Sequence, residues 1–182
     1  MTDVERLIHA YHTPLVRYLT RRLGDRDWAE EVAQETFVRA LRHGEAGTGP
    51  APEKERSWIF AVATNLVRDE ARKDARRRRH LELLRGEAEE ARVESPAQVY
   101  ENAQEQAREA ALARRAVDAL AERDRLALLM REEGLDYGEI AEALGLSVGS
   151  VGTTLARARR RLVEHYEALA RGGAGDRGAH AS

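Results

Sequence analysis

The stretch LDYGEIAEALGLSVGSVGTTLARARRRL, residues 135–162, decides the fold of the C-terminal half of the chain. Asp136 can cap a short helix, Gly145 can end that helix in a tight turn, and Ser147 can cap a longer second helix. Apolar residues recur at helical spacing along both helices, namely Ile140, Ala141 and Leu144, then Val151, Leu155, Ala158 and Leu162. A helix, a short glycine-containing turn and a second helix form the helix-turn-helix layout of many DNA-binding proteins.

The second helix of this motif is predicted to lie in the major groove of DNA. Its candidate DNA contacts, which we expect on the face away from the core, are Ser147, Ser150, Thr153, Thr154, Arg157 and Arg159. Hydroxyl groups can hydrogen-bond to bases or phosphates, the helix N-terminus favours a phosphate, and arginines attract the DNA backbone. The alternative is an ordinary helical hairpin with a solvated basic face.

Two further amphipathic helices are predicted upstream of the motif, which gives a four-helix C-terminal domain over residues 102–170. Residues 80–101 lose the helical periodicity and are rich in Glu, which indicates a flexible acidic linker. Residues 171–182 are rich in Gly and Ala and are predicted to be a disordered tail.

The N-terminal domain is predicted to span residues 1–79. Apolar spacing predicts helices over about Asp3–Leu23, Asp27–Arg42 and Glu55–Arg79, and Pro14 predicts a kink or a break in the first. Because β-branched residues are too sparse and scattered for several strands, the fold class is all-α, with two small helical domains joined by the linker.

Composition excludes several classes of function. The 182 residues include no cysteine, so disulfides, zinc–thiolate sites and thiol nucleophiles are excluded. No apolar run approaches the length of a membrane span and the N-terminus lacks the pattern of a secretion signal, so we expect a cytoplasmic protein without membrane insertion. No catalytic, phosphate-loop or dinucleotide motif is present, so we predict a protein that is not an enzyme and needs no cofactor.

Acidic residues near the second helix admit a metal-dependent nuclease as an alternative. Metal sites need carboxylates that converge inward, whereas these mostly point outward from an amphipathic helix. His9 and His12 are three residues apart, but no third ligand is placed to complete a site. We therefore predict no bound metal and interpret the acidic face as solvated or protein-binding.

The distribution of charge is more informative than the net charge of −2. Residues 68–79 carry seven basic and three acidic side chains, residues 152–163 carry four arginines and no acid, and residues 80–120 are acidic. Two basic patches separated by an acidic connector indicate two places that contact a polyanion. On the helix of the first patch, Trp58 could stack on an unpaired base and Asn65 could read a base edge. A core tryptophan and a solvated basic run are the alternatives.

Three segments together resemble the extracytoplasmic-function group of bacterial sigma factors. The stretch DWAEEVAQETFVRAL, residues 27–41, is similar to the second conserved region of that family. The stretch RSWIFAVATNLVRDEARKDARRRR, residues 56–79, is similar to the segment that follows it, and residues 135–162 resemble the fourth region. The segments appear in the family's order and at its separation.

The resemblance implies a role for each segment. A helix contacting the clamp of the β′ subunit of core RNA polymerase would use Asp27, Glu31, Gln34, Glu35 and Val38, and the β subunit would be a further partner. The −10 promoter element would contact Trp58, Asn65, Arg68, Arg72 and Arg76, and the C-terminal motif would read the −35 element. The resemblance also implies that an anti-sigma factor holds the protein inactive.

The recognition helix departs from the family pattern at two positions, since Gly152 replaces the usual Lys and Thr154 the usual Arg. The usual basic side chain is therefore absent at both positions. Two rival functions remain open from the residues alone. A free-standing helix-turn-helix regulator would share the C-terminal motif, and a purely protein-binding helical bundle would leave both basic patches unexplained.

Overall fold

The computed structural model describes residues 3–84 and 101–175, with side chains described over 5–72 and 106–172. All the regular elements in these ranges are helical, which confirms the predicted fold class. The α-helices are α1 Asp3–Leu23, α2 Arg26–Glu45, α3 Glu55–Leu84, α4 Glu101–Asp118, α5 Glu122–Glu132, α6 Tyr137–Leu144 and α7 Val148–Gly175, and a short 3-10 turn, Pro52–Lys54, precedes α3. We call α1–α3 the N-terminal domain and α4–α7 the C-terminal domain.

The helix ends differ from the predicted ends mainly around the linker and the tail. Helix α3 continues to Leu84 and α4 begins at Glu101, so the predicted linker is helical at both ends, and its remaining residues, 85–100, lie outside the described residues. Helix α7 continues to Gly175, so the prediction of a tail beginning at residue 171 is wrong for its first five residues. The rest of the predicted tail, 176–182, lies outside the described residues.

The N-terminal domain is built around a sharp turn between α1 and α2. Gly24 has a φ of 78°, which glycine adopts without strain, and the Asp25 side chain accepts a hydrogen bond of 3.0 Å from the amide of Trp28. Helix α1 runs without a break through Pro14, so of the predicted alternatives, a kink or a break, the break does not occur. Proline removes one backbone hydrogen bond, but Leu15 and Tyr18, one and four residues after it, are fully buried and hold the helix in place.

The turn of the helix-turn-helix motif forms as the sequence predicts. Asp136 and Glu139 make a reciprocal capping box at the start of α6, with both hydrogen bonds at 2.8 Å. Gly145 ends α6 in the left-handed conformation, with φ of 65° and ψ of 40°. The capping box therefore sets where α6 begins, and Gly145 sets where it ends, shortly before α7 begins.

The two domains pack against each other, which the periodicity of the sequence does not predict. Helix α3 packs on α6, and α1 packs on α5. Buried residues of both domains belong to one hydrophobic cluster, including Leu15, Leu19, Ile59, Phe60 and Leu66 from the first and Leu126, Met130, Leu135, Ile140 and Leu155 from the second. The structure is therefore a closed arrangement in which the domains share a core.

Phe60 provides a test of how α3 is buried in this cluster. Its side chain is fully buried, and its ring lies 5.2 Å from that of Tyr18. We expect Phe60→Ala to lower the free energy of unfolding by about 3–5 kcal/mol, because the truncation removes buried apolar surface and leaves a cavity. Urea unfolding of the full chain measures this, with the exposed Val163→Ala as control. A loss equal to that of the control would contradict the packing.

Candidate functional site

Helix α2 presents the predicted polymerase-binding residues on one face. Asp27, Glu31, Gln34 and Val38 are exposed, and Glu35 is half-buried. The opposite face is buried and consists of Ala29, Val32, Ala33, Thr36, Phe37 and Ala40. The five residues recur at intervals of three and four along the helix, so the fold brings them together.

The same face has an apolar part, of which Val38 was predicted from the sequence and Leu41 was not. Val38 is 39% exposed, and Leu41, three residues later, is 42% exposed. Glu35 contacts Arg39 at 3.0 Å beside them. Neighbouring exposed aliphatic side chains with polar residues around them can form the centre and the rim of a protein-binding surface. The sequence feature that could have identified Leu41 is its position three residues after Val38, which places it on the same face about one helical turn further along.

The predicted −10 residues follow helix α3 from its first turn. Trp58 is half-buried, its ring meets that of His43 edge to face with the centroids 5.3 Å apart, and it lines a cavity of about 110 Å³ beside Gly49 and Pro50. Asn65 is exposed two turns further along. The fold therefore places an aromatic side chain and an amide side chain on one helix, next to a glycine- and proline-containing loop.

Among the arginines predicted to contact the −10 element, Arg68 is paired with the C-terminal domain in the closed arrangement, whereas Arg72 is exposed. Arg68 donates from Nε to Glu122 Oε1 of the C-terminal domain at 2.9 Å, whereas Arg72 is exposed and lies 3.7 Å from Asp69. The side chain of Arg76 lies outside the described residues. Burial alone would raise the pKa of Glu122, but the hydrogen bond and charge of Arg68, with the charge of Arg22, hold that pKa below its ordinary value.

The recognition helix α7 exposes some of its predicted DNA contacts. Ser147, Thr153 and Arg159 are exposed, and Ser150 is half-buried. The hydroxyl of Ser150 donates to the carbonyl of Ser147 at 2.8 Å, and that of Thr153 donates to the carbonyl of Ser150 at 2.9 Å. Val148 is 56% exposed in the first turn and was not predicted; an aliphatic side chain there can contact a thymine methyl group.

Thr154 was predicted on the DNA face, and the structure corrects this. Its side chain is 4% exposed, so it belongs to the packed side of α7 with Val151, Leu155 and Ala158. Position 154 follows 151 by three residues, which is the spacing of a shared helix face. Gly152 is half-buried, and a Cβ added there would meet the ring of Tyr137 at 3.6 Å, an ordinary contact.

Arg157 holds a structural position that its sequence did not reveal. Its Nε and Nη2 donate to the two carboxylate oxygens of Asp124 at 2.9 and 2.5 Å. The Asp124 side chain is only 2% exposed, and Arg161 lies 4.0 Å away on the same side. The hydrogen bond from Arg157 lowers the pKa of Asp124. Arg157 therefore ties the recognition helix to the start of α5.

This pair predicts a pH dependence of stability. Because the folded-state pKa of Asp124 is depressed, its ionised form stabilises the fold above its unfolded pKa of about 3.9, and this contribution is lost as the pH falls through the folded-state pKa. We expect Asp124→Asn to be less stable than the parent at pH 7, with a difference that shrinks below about pH 4. Urea unfolding at several pH values measures it. A difference that stays constant with pH would contradict the assignment.

Two further observations concern the described residues only. No group of three or more His, Asp or Glu side chains there is arranged to hold a metal ion. None of the helices in the described ranges combines the length and the apolar composition that a bilayer crossing requires.

Comparison with known proteins identifies both domains. The profile described as sigma-70 region 2 matches residues 7–77, and the profile described as sigma-70 region 4 matches residues 110–162. Helices α1 to α3 thus fall largely within the first match, and the helix-turn-helix falls within the second.

Full-length relatives agree with these matches. The ferric citrate uptake sigma factor FecI of Escherichia coli is 32% identical over 88% of this chain and 87% of its own length. RNA polymerase sigma factor YlaC of Bacillus subtilis is 29% identical over 88% of this chain and 90% of its own. The extracytoplasmic-function sigma factor SigE of Mycolicibacterium smegmatis is 29% identical over 91% of this chain, which spans 62% of that relative.

A solved structure has a similar fold. The sigma factor RpoE, crystallised in complex with the anti-sigma factor NepR from Bartonella quintana, superposes with a TM-score of 0.68. The similarity covers 92% of this chain and 98% of that chain at 21% sequence identity.

Proposed function

We propose, from the premise that the chain belongs to the sigma-70 family of RNA polymerase sigma factors, that it binds core RNA polymerase and directs promoter-specific initiation of transcription. The observation that carries the proposal is the joint presence of both sigma regions in one chain, in the family's order. A free-standing regulator needs only the C-terminal motif and gives no role to the exposed face of α2.

Helices α2 and α3 each support one part of this function. The exposed face of α2, with Glu31, Gln34 and Val38, is the surface we assign to the β′ clamp, and the β subunit is the second polymerase partner. Trp58 and Asn65 on α3 are assigned to the −10 element, which is melted during initiation. In such single-stranded DNA, bases can stack on aromatic side chains.

The C-terminal domain is assigned to duplex DNA at the −35 element. The exposed residues Ser147, Thr153 and Arg159 carry this contact, and Ser150 contributes from a half-buried position. Arg157 acts chiefly through Asp124, which fixes the orientation of the recognition helix.

The role proposed for the chain requires no catalytic residue of its own. The chain would act in the cytoplasm, where transcription takes place.

An anti-sigma factor is the regulatory partner that fits this function. The RpoE relative was crystallised with such a factor, NepR. In the present chain the domains are already closed on each other, and a partner that binds across both domains would hold them in that arrangement.

Addition of core polymerase separates this function from that of a free-standing regulator. We expect the purified chain to bind promoter fragments weakly alone, and to give a specific complex once core enzyme is added. The measurement is a gel-shift assay on a pool of genomic promoter fragments, with and without core polymerase. Tight, site-specific duplex binding by the chain alone would overturn the proposal in favour of the regulator.

A further inference from the structure

A carboxylate of the C-terminal domain is inserted among arginines of the N-terminal domain. Glu133, directly after α5, has a side chain that is only 1% exposed. It accepts from Arg17 Nε at 2.9 Å and from Arg21 Nη1 at 2.8 Å. Arg56 completes the site, because its Nη2 donates to the Glu133 carbonyl oxygen at 2.5 Å and its Nη1 to the Gly134 carbonyl at 3.3 Å.

The same complementarity recurs on both sides of this site. At one side, Glu122 contacts Arg68 at 2.9 Å and the buried Arg22 at 3.4 Å. At the other side, Glu142 contacts Lys54 at 2.9 Å and accepts from the hydroxyl of Ser57 at 2.8 Å.

The ion pairs among these contacts all join a basic side chain of the N-terminal domain to an acidic one of the C-terminal domain. Arg56 adds a further contact of this kind, at 3.7 Å from Glu139. The cations belong to a single surface, which we call the cationic face and which consists of Arg17, Arg21, Arg22, Lys54, Arg56 and Arg68.

We propose that the cationic face is a binding surface for the backbone of single-stranded DNA, and that in the closed arrangement Glu122, Glu133, Glu139 and Glu142 occupy it in place of phosphates. DNA and the C-terminal domain then compete for one surface. The proposal rests on the proposed function for its choice of DNA as the ligand, and it extends the DNA surface beyond the −10 residues to α1.

Three observations favour a nucleic-acid strand as the occupant. Arg68 is shared between the cationic face and the −10 set, so the two surfaces are continuous. Lys54 and Arg56 lie within four residues of Trp58 at the start of α3, so this end of the helix carries both cations for phosphates and an aromatic ring for bases. Arg17 and Arg21 also line a groove of about 410 Å³ between α1 and α2, which gives a strand room to continue.

The test compares two pairs of charge-removing substitutions in the full chain. Glu122→Gln with Glu133→Gln removes two carboxylates from the cationic face, and Glu109→Gln with Glu132→Gln removes two exposed carboxylates elsewhere in the C-terminal domain. The probe is a fluorescein-labelled oligothymidylate of 20 nucleotides, followed by anisotropy at several salt concentrations. We expect the first pair to bind the probe at least about fivefold more tightly than the parent, with a steeper salt dependence because more phosphates are neutralised. The control pair should bind like the parent.

Removal of the arginines identifies the surface responsible. Arg17→Ser with Arg21→Ser, added to the first pair, should return the affinity to that of the parent. An unchanged gain after this removal would overturn the proposal, because the probe would then bind without Arg17 and Arg21. An equal gain in the control pair would also overturn it, because the effect would then be one of overall charge.

Opening of the domains is measured separately. Because the chain contains no cysteine, Glu45→Cys and Ala168→Cys provide two unique dye positions, one in each domain, for energy transfer. If the glutamine pair leaves the domains closed, Glu122→Arg with Glu133→Arg places like charges against the arginines and separates them. Domains that separate without any gain in affinity for the oligonucleotide would overturn the proposal. Circular dichroism verifies that each variant keeps its helices. Core polymerase is absent from these assays, so their failure would leave the proposed function standing.

Discussion

Glu31→Lys combined with Val38→Ala is expected to weaken the binding of core RNA polymerase by about tenfold or more. Both side chains are exposed on the face of α2 that lies opposite its buried residues, so the substitutions leave the core intact. Central residues of a protein interface commonly contribute about 2 kcal/mol or more, and 1.4 kcal/mol corresponds to a factor of ten in affinity. Reversal of one charge and loss of one apolar contact should together reach this size.

The measurement is equilibrium binding of the labelled chain to core polymerase. Glu109→Lys is the matched control, because it makes the same charge change at an exposed position of α4. The account requires that the double variant retain the helix content and unfolding temperature of the parent. Polymerase affinity that is equal in the parent, the control and the double variant would remove α2 from the polymerase interface.

Arg157→Ala is expected to destabilise the C-terminal domain before it affects any DNA contact. The substitution leaves the carboxylate of Asp124 buried without its bidentate partner, and an uncompensated buried charge is among the costliest changes in a protein interior. We expect the unfolding temperature to fall by roughly 5 °C or more. Arg160→Ala is the control, because Arg160 is exposed and contacts only Glu164 of its own helix in the described contacts, at 3.8 Å.

A second substitution separates the structural role of Arg157 from DNA recognition. Asp124→Ala in the Arg157→Ala background removes the orphaned charge and should restore much of the lost stability, because removal of both partners avoids burial of an unpaired group. Promoter-specific transcription by this double variant then reports on DNA contact alone. A double variant less stable than Arg157→Ala would contradict the pairing, whereas a stable but inactive one would assign Arg157 a direct DNA contact as well.

The local features of the fold could be predicted because each depends on residues that are close together in the sequence. The capping pair Asp136 and Glu139, the left-handed Gly145 and the apolar spacing of α2 all act within a few residues of each other. The same spacing sorted α2 into a buried and an exposed face, so the predicted polymerase residues do lie together. Thr154 was misassigned because its type suggested a DNA contact, while its position, three residues after Val151, required burial.

The features that could not be predicted join residues far apart in the chain. Asp124 and Arg157 are separated by 33 positions, and Arg17 and Glu133 by 116. Neither separation follows from the helical repeat, and both contacts depend on how the helices pack against each other after they have formed. The closed arrangement follows from such pairs together with apolar contact across the domains, which helical periodicity cannot distinguish from burial within one domain.

Run-off transcription from a promoter selected with the holoenzyme tests the central claim most directly. Core polymerase alone and the chain alone should each give no specific transcript, whereas the two together should give one transcript with a defined start. Arg159→Ala, at a residue proposed to contact the −35 element, should reduce that transcript without lowering the affinity for core polymerase. A chain that leaves the start sites of core polymerase unchanged, although it is folded and binds DNA, would show that this protein does not act as a sigma factor.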